Sequence, residues 1–198
     1  MVHDTVVDMT IDWTTEFVDQ LDWHWTHQAR PRLDGLSDAE YLWEPVDGCW
    51  SVRPRGEPSP ATAVGDGGMT IDYAFDPPQP TPFTSIAWRI AHVVVGVFAA
   101  RTAGHFGGAP VSYDGWPYAG TAAEALEQLD AAYAAWVTGA RGLSTDDLAQ
   151  PCGPAEGPYA EMPMVTLVLH INREAIHHLA EVACIRDLYA HRARLVSR

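Results

Sequence analysis

The chain has 198 residues, 47% of them hydrophobic, with 12 basic against 26 acidic side chains and a formal net charge of −14. Eight Trp, seven Tyr and five Phe provide ample apolar surface to offset chain entropy, which excludes disorder as the dominant state. All the basic residues are arginine, and neither a basic stripe for nucleic acid nor a polybasic membrane anchor can be drawn on the sequence.

A chain of this length is expected to form one domain, spanning 1–198. The N-terminal text MVHDTVVDMTIDWTTEF has early acids and no apolar leader segment, and the longest apolar run, around residues 93–100, is too short to span a bilayer. Cys49, Cys152 and Cys184 show no CxxC spacing and are odd in number, so neither a disulfide framework nor a cysteine zinc site is indicated. These features predict a cytoplasmic, unprocessed protein.

In chain order, Phe17, Val18, Leu21, Trp25 and Ala29 recur at spacings of three and four, which predicts a first helix from Trp13 to Arg30 capped by Asp12 or Thr14. Ser37 and Glu40 form a capping-box pattern for a short helix that Pro45 stops. Residues 45–83 hold eight prolines and five glycines. That density excludes a helix and predicts an inserted, partly ordered lid, with a short strand at 69–75.

A second helix is expected from Ser85 to Phe106, apolar on nearly every side and therefore buried on most faces, with Thr84 or Ser85 as its cap. Thr121 and Glu124 open a third helix over 121–140 with the stripe Ala125, Leu129, Ala132, Tyr133 and Trp136, and Ser144 caps a short turn after it. A fourth helix runs from about Pro163 to His191, with Pro163 in its first turn. Four long helices around one core predict an all-α, four-helix bundle carrying an irregular Pro/Gly-rich insertion.

The fourth helix carries His170, Glu174, His177, His178 and Glu181 on or beside its apolar stripe. At about 100° per residue, Glu174 and His178 lie roughly 40° apart and project from one face. A carboxylate and an imidazole so placed give a divalent metal two ligands from one helix. His92, on the second helix, is a candidate for the third. The same residues can also be a hydrogen-bonded pair and a satisfied core histidine, and spacing alone leaves both readings open.

The segments SIAWRIAHV at 85–93 and HINREAIHHLAEVACIRDLY at 170–189 resemble the second- and fourth-helix motifs of the DinB-like (DinB/YfiT) family, and LDGLSDAEYLWEP and CWSVRP resemble its first-loop text. The resemblance runs over nearly the whole chain. It implies an up-down-down-up bundle with a metal triad at His92, Glu174 and His178. Glutamate at 174 is similar to the branch of the mycothiol-dependent maleylpyruvate isomerase, which implies zinc, or alternatively nickel, and a low-molecular-weight thiol such as mycothiol as cosubstrate. The insertion at 45–83, and a length that leaves no room for that enzyme's C-terminal domain, depart from that branch.

On this reading the chain is a metal-dependent, thiol-using transferase or isomerase, or a hydrolase, acting on a small molecule. The alternative is a non-catalytic, stress-associated binding or dimerising protein of the same fold; the residues do not fix the oligomeric state, and the resemblance points to a homodimer. Arg89 and His170, one turn from the proposed ligands, are candidates to hold an anionic substrate or move a proton. His177 and Glu181 are candidates to orient His178. Trp43, Trp50 and Trp88 are read first as core aromatics and second as candidate pocket walls. His24, His27 and His105 are read as outside the site, and Arg53 and Arg55 as exposed loop charges, the alternative being that they meet a carboxylate.

Overall fold

The computed structural model describes residues 11–195, so the first ten residues, read above for their early acids, lie outside the described part. Helix α1 (Trp13–His24) starts where the Asp12 carboxylate accepts from the Thr15 amide at 3.2 Å. It runs on through a wider, π-type coil at Trp25–Ala29. Its stripe of Val18, Leu21, Trp25 and Ala29 is buried, as the spacing predicts.

Helix α2 (Asp38–Tyr41) is capped by Ser37, but the Glu40 carboxylate does not turn back to close the box. It is held instead by Arg186, with Nε to Oε1 at 2.7 Å and Nη2 to Oε2 at 3.2 Å. The long-range ion pair outcompetes the local one because both side chains are largely buried, where charge pairing is little screened.

Between Trp43 and Phe83 the expectation of an all-α protein fails. Strands β1 (Val52–Pro54), β2 (Thr62–Val64) and β3 (Met69–Tyr73) form an antiparallel sheet in the order β1-β3-β2. Val52 pairs with Ile71, and Thr62 with Tyr73. The fold is thus helix-dominated with a small sheet, and the insertion is built rather than irregular.

Asp72 organises this sheet from within. Its buried carboxylate accepts from the Ser51 amide at 2.8 Å, the Ser59 hydroxyl at 2.6 Å and Arg53 Nε at 3.3 Å. Arg53, expected as an exposed loop charge, is therefore a mostly buried strut that also reaches Glu44 and the Cys49 carbonyl. Arg55 donates to the carbonyls of Gly65 and Gly67.

The sheet is pinned to the second long helix, because the Trp88 indole donates to the Asp72 carbonyl at 2.7 Å and Ser51 Oγ meets Ser85 Oγ at 2.7 Å. That helix comprises α3 (Ile86–His92), a π-type stretch at Val93–Ala99 and α4 (Ala100–Phe106), with Ser85 as its cap. By length and composition Ile86–Phe106 could cross a membrane, although no apolar run within it is that long. Half of its most apolar window is buried inside the protein, and one such helix is weak evidence for a membrane span.

Helix α5 (Ala122–Arg141) is capped by Thr121 and buries all five residues of its predicted stripe. Helix α6 (Thr145–Ala149) opens with a complete capping box of Ser144 and Asp147. Helix α7 (Met164–Ala190) follows Pro163, which sits at the cap rather than in the first turn, and α8 (Arg192–Leu195) ends the described chain.

Trp13–Ala29 and Ile86–Phe106 each pack against both α5 and α7 around a common buried cluster. Complete burial of side chains such as Leu129, Ile90 and Phe98 contributes about 1.5–3 kcal/mol apiece.

Candidate metal centre

The arrangement places His92 of α3 against His178 of α7, with ring centroids 4.8 Å apart and the rings nearly perpendicular. Glu174, one turn before His178, brings Oε2 to 3.6 Å from His178 Nε2. His178 thus meets one of the named residues on its own helix and the other on the neighbouring helix.

What surrounds the imidazoles bears on which nitrogen each presents. His178 Nδ1 lies 2.8 Å from Glu181 Oε2, and an ionised carboxylate can only accept, so Nδ1 carries the proton and the Nε2 lone pair faces Glu174. Arg89 Nη1 is 3.2 Å from the same Nδ1, but its partner in this protonation state is Glu181 Oε2 at 2.8 Å. His92 Nδ1 meets the Tyr113 hydroxyl at 2.6 Å, and Nε2 is free for a ligand in the tautomer in which Nδ1–H donates to the phenol oxygen. A hydrogen bond behind each imidazole is how proteins orient metal-binding histidines.

Electrostatics agree with neutral, ligand-competent rings. Burial, reinforced by His178 and Arg89, pulls the His92 pKa down to about 3. Burial also lowers that of His178, against the opposing pull of Glu181. The Tyr113 phenol is pushed up by burial and stays protonated.

For the metal-free protein the sign is clear: a histidine held neutral in the fold but protonated when unfolded contributes stability that is full above pH 6.5 and lost as pH falls toward 3. We expect stability to drop by about 1 kcal/mol per pH unit from this group between pH 6.5 and 5. Urea midpoints of His92→Gln against wild type across that window check it, the variant losing the corresponding slope.

A second grouping shares His178. His177, His178 and Glu181 have ligand atoms within 4.8 Å of one another and could hold a metal ion. Here Glu181 is reached from His178 through Nδ1, the nitrogen already spent on a hydrogen bond, while the Arg89 cation stands 2.8 Å from the carboxylate. Both features oppose a cation at that position, so we favour the His92 side.

A hollow of about 320 Å³ opens beside His92, walled by Trp50, Tyr73, Trp88 and Tyr113, with Arg89 and Thr84 in its lining. Trp88 lines it half-buried, and Trp50 lines it as part of the buried core. Trp43 lies elsewhere, edge-on to Tyr189. His170 does not share this hollow: it lines another of about 330 Å³ with Arg101, Cys152 and Arg173, and lies 3.6 Å from Glu174 Oε1. Arg89 and His170 thus approach the cluster from different hollows.

His24 and His27 bond to Gln28 and the Trp23 carbonyl on the surface of the first helix. His105, expected at a frayed helix end, is instead buried at 2.8 Å from Glu156. The Cys49 thiol is pushed up to about 12 by burial and by Glu44, so it is no nucleophile at neutral pH. Sequence reasoning missed Tyr113 and Tyr73, because one lies in a loop and the other in a short strand with nothing local to mark either.

Gly96, one turn after His92, is what lets Tyr113 in: a Cβ there would stand 2.2 Å from the phenol oxygen. Gly96→Ala is expected to push Tyr113 off His92 and weaken metal affinity about tenfold or more, as loss of an outer partner does. Competition with a chelating dye measures it, and an unchanged affinity would count against Tyr113 as the orienting group.

A helix-dominated protein whose last long helix carries a His177, His178 and Glu181 grouping that could hold a metal ion is the class these features define. A family model described as the DinB superfamily matches residues 20–182, and the chain belongs to that superfamily. Comparison with curated proteins and with solved structures gave no match.

Proposed function

We propose that the protein is a metal-dependent enzyme of this superfamily, acting on a small molecule, with a divalent ion held by His92, Glu174 and His178. The observation that carries the reading is the pair of imidazoles each held through Nδ1, by Tyr113 and by Glu181, with a hollow beside His92. Two nitrogens and one carboxylate oxygen suit zinc or nickel and leave positions open. The bound ion supplies Lewis-acid polarisation and a lowered pKa for a coordinated thiol or water.

The chain's own residues do the rest. Glu181 and Tyr113 hold the rings in register, Trp50 and Trp88 limit water around the reacting group, and Arg89 offers positive charge. On this reading His170, 3.6 Å from Glu174, relays a proton from the second hollow. On this reading the reaction is a transfer or isomerisation using a thiol such as mycothiol, or a hydrolysis, in a cytoplasmic homodimer whose four long helices run up-down-down-up.

Elemental analysis after loading with zinc or nickel tests the proposal. Wild type should retain about one ion per chain, His92→Ala should lose it, and His177→Ala should keep it. No stoichiometric metal in wild type, or loss confined to His177→Ala, would overturn it.

A further inference from the structure

The second hollow shares no lining residue with the one beside His92 and has a charge pattern of its own. Thr166, His170 and Arg173 stand at i, i+4 and i+7 on α7, so one face of that helix presents all three, and Arg101 of α4 joins them in the lining. In a chain with a net charge of −14, arginines are readily claimed by acids. Arg30, Arg32, Arg89, Arg141 and Arg186 each bring a nitrogen within 3.0 Å of a carboxylate oxygen. Arg101 and Arg173 come no nearer than 3.3 and 3.6 Å.

Their donors are accessible. The side chains of Arg101 and Arg173 are 31% and 70% exposed. Arg101 Nη1 and Nη2 and Thr166 Oγ1 have no hydrogen-bond partner among the described residues, and in contrast to Arg101 Nε none of them is buried. Arg173 Nη2 lies 2.7 Å from His170 Nδ1, and a guanidinium can only donate, so the N–H of that ring is at Nε2, which is likewise unpartnered and not buried. Glu156, the one acid in the lining, is already engaged: its buried side chain accepts from His105 Nε2 at 2.8 Å.

Donors arriving from two helices match the oxygens of a tetrahedral oxyanion, and two guanidiniums match a dianion. Leu167, Met162 and Tyr159 supply apolar wall, and about 330 Å³ is more than a bare phosphate fills, so room remains for an organic body. We infer that the second hollow binds a small phosphate monoester, its oxygens accepting from Arg101, Arg173, Thr166 and His170 and its body lying against Tyr159, Met162 and Leu167. Binding there requires no metal ion and lies beyond the proposed function.

Calorimetric titration of the full chain at about pH 8, where a phosphate monoester is largely a dianion, with phenyl phosphate, phenyl sulfate, phenol and inorganic phosphate tests it. Wild type should bind phenyl phosphate about tenfold or more tightly than each of the other three. Arg101→Gln and Arg173→Gln should each weaken that binding about tenfold, and His92→Ala should leave it as in wild type. Arg173 is exposed, so its variant keeps the test open if Arg101→Gln, which also loses Glu156, fails to fold. No phenyl phosphate binding at millimolar concentration, equal affinity for any of the other three, or affinity unchanged in a folded arginine variant would overturn the inference. So would loss in His92→Ala, which would put the anion on the metal instead. Metal-free protein that binds the ester upholds the second hollow and defeats the metal centre, and metal-loaded protein that does not bind it does the reverse.

Discussion

His178→Ala is expected to lower metal affinity by more than about 100-fold, beyond what removing an outer partner does. The reason is that His178 is common to every arrangement the cluster permits. It faces Glu174 through Nε2 and Glu181 through Nδ1, and its ring sits against His92. Its loss also frees Glu181 and Arg89 to pair more closely, adding a cation where a ligand stood. A zinc titration against a competing chelator reads the effect. Affinity within tenfold of wild type would mean that the metal, if bound, sits away from this cluster.

The largest effect on stability is expected at Arg186. Its guanidinium grips the Glu40 carboxylate with two hydrogen bonds and donates through Nη1 to the carbonyls of Arg32 and Asp34. Removing one partner of a buried pair strands the other charge, so Arg186→Met is expected to cost about 3 kcal/mol. For a chain of this size that is a drop of about 10 °C in Tm. The double variant Glu40→Leu with Arg186→Met should recover part of the loss, since no stranded carboxylate remains, but not all of it, since the two carbonyls still lose their donor. Thermal melts of the wild type, the single variant and the double variant decide it. A single variant as stable as wild type would place the pair among those that contribute nothing.

The contrast between these two sites shows what a sequence exposes. Glu174 and His178 lie four apart on one helix, so their shared face follows from helical geometry alone, and His92 stands out as a polar residue in an apolar helix. The caps at Ser85, Thr121 and Ser144 are equally local, and all three are found in place. Glu40 and Arg186 are separated by 146 positions, and only the packed fold brings them together. Tyr113 escapes for the same reason.

The small sheet was hidden differently. Strands of three residues have too little length to display an alternation, Pro54 closes β1, and the carboxylate that orders them is one aspartate among many acids. Only β3, with five residues, was long enough to be read.

The π-type stretch at Val93–Ala99 lies between the two hollows, with Arg89 and His92 on one side and Arg101 and His105 on the other. A wide coil marks a place where a helix carries a surplus residue relative to regular winding, and each residue added or removed turns the C-terminal half of the helix by about 100°. The second helix can therefore be thought of as a shaft with a clutch. A one-residue change in the length of 93–99 would swing Arg101 and His105 away from Glu156 while leaving the Ser85-capped half, and the histidine it presents, in place. The two hollows are in this sense separately adjustable, and one can diverge while the face that carries Arg89 and His92 stays the same.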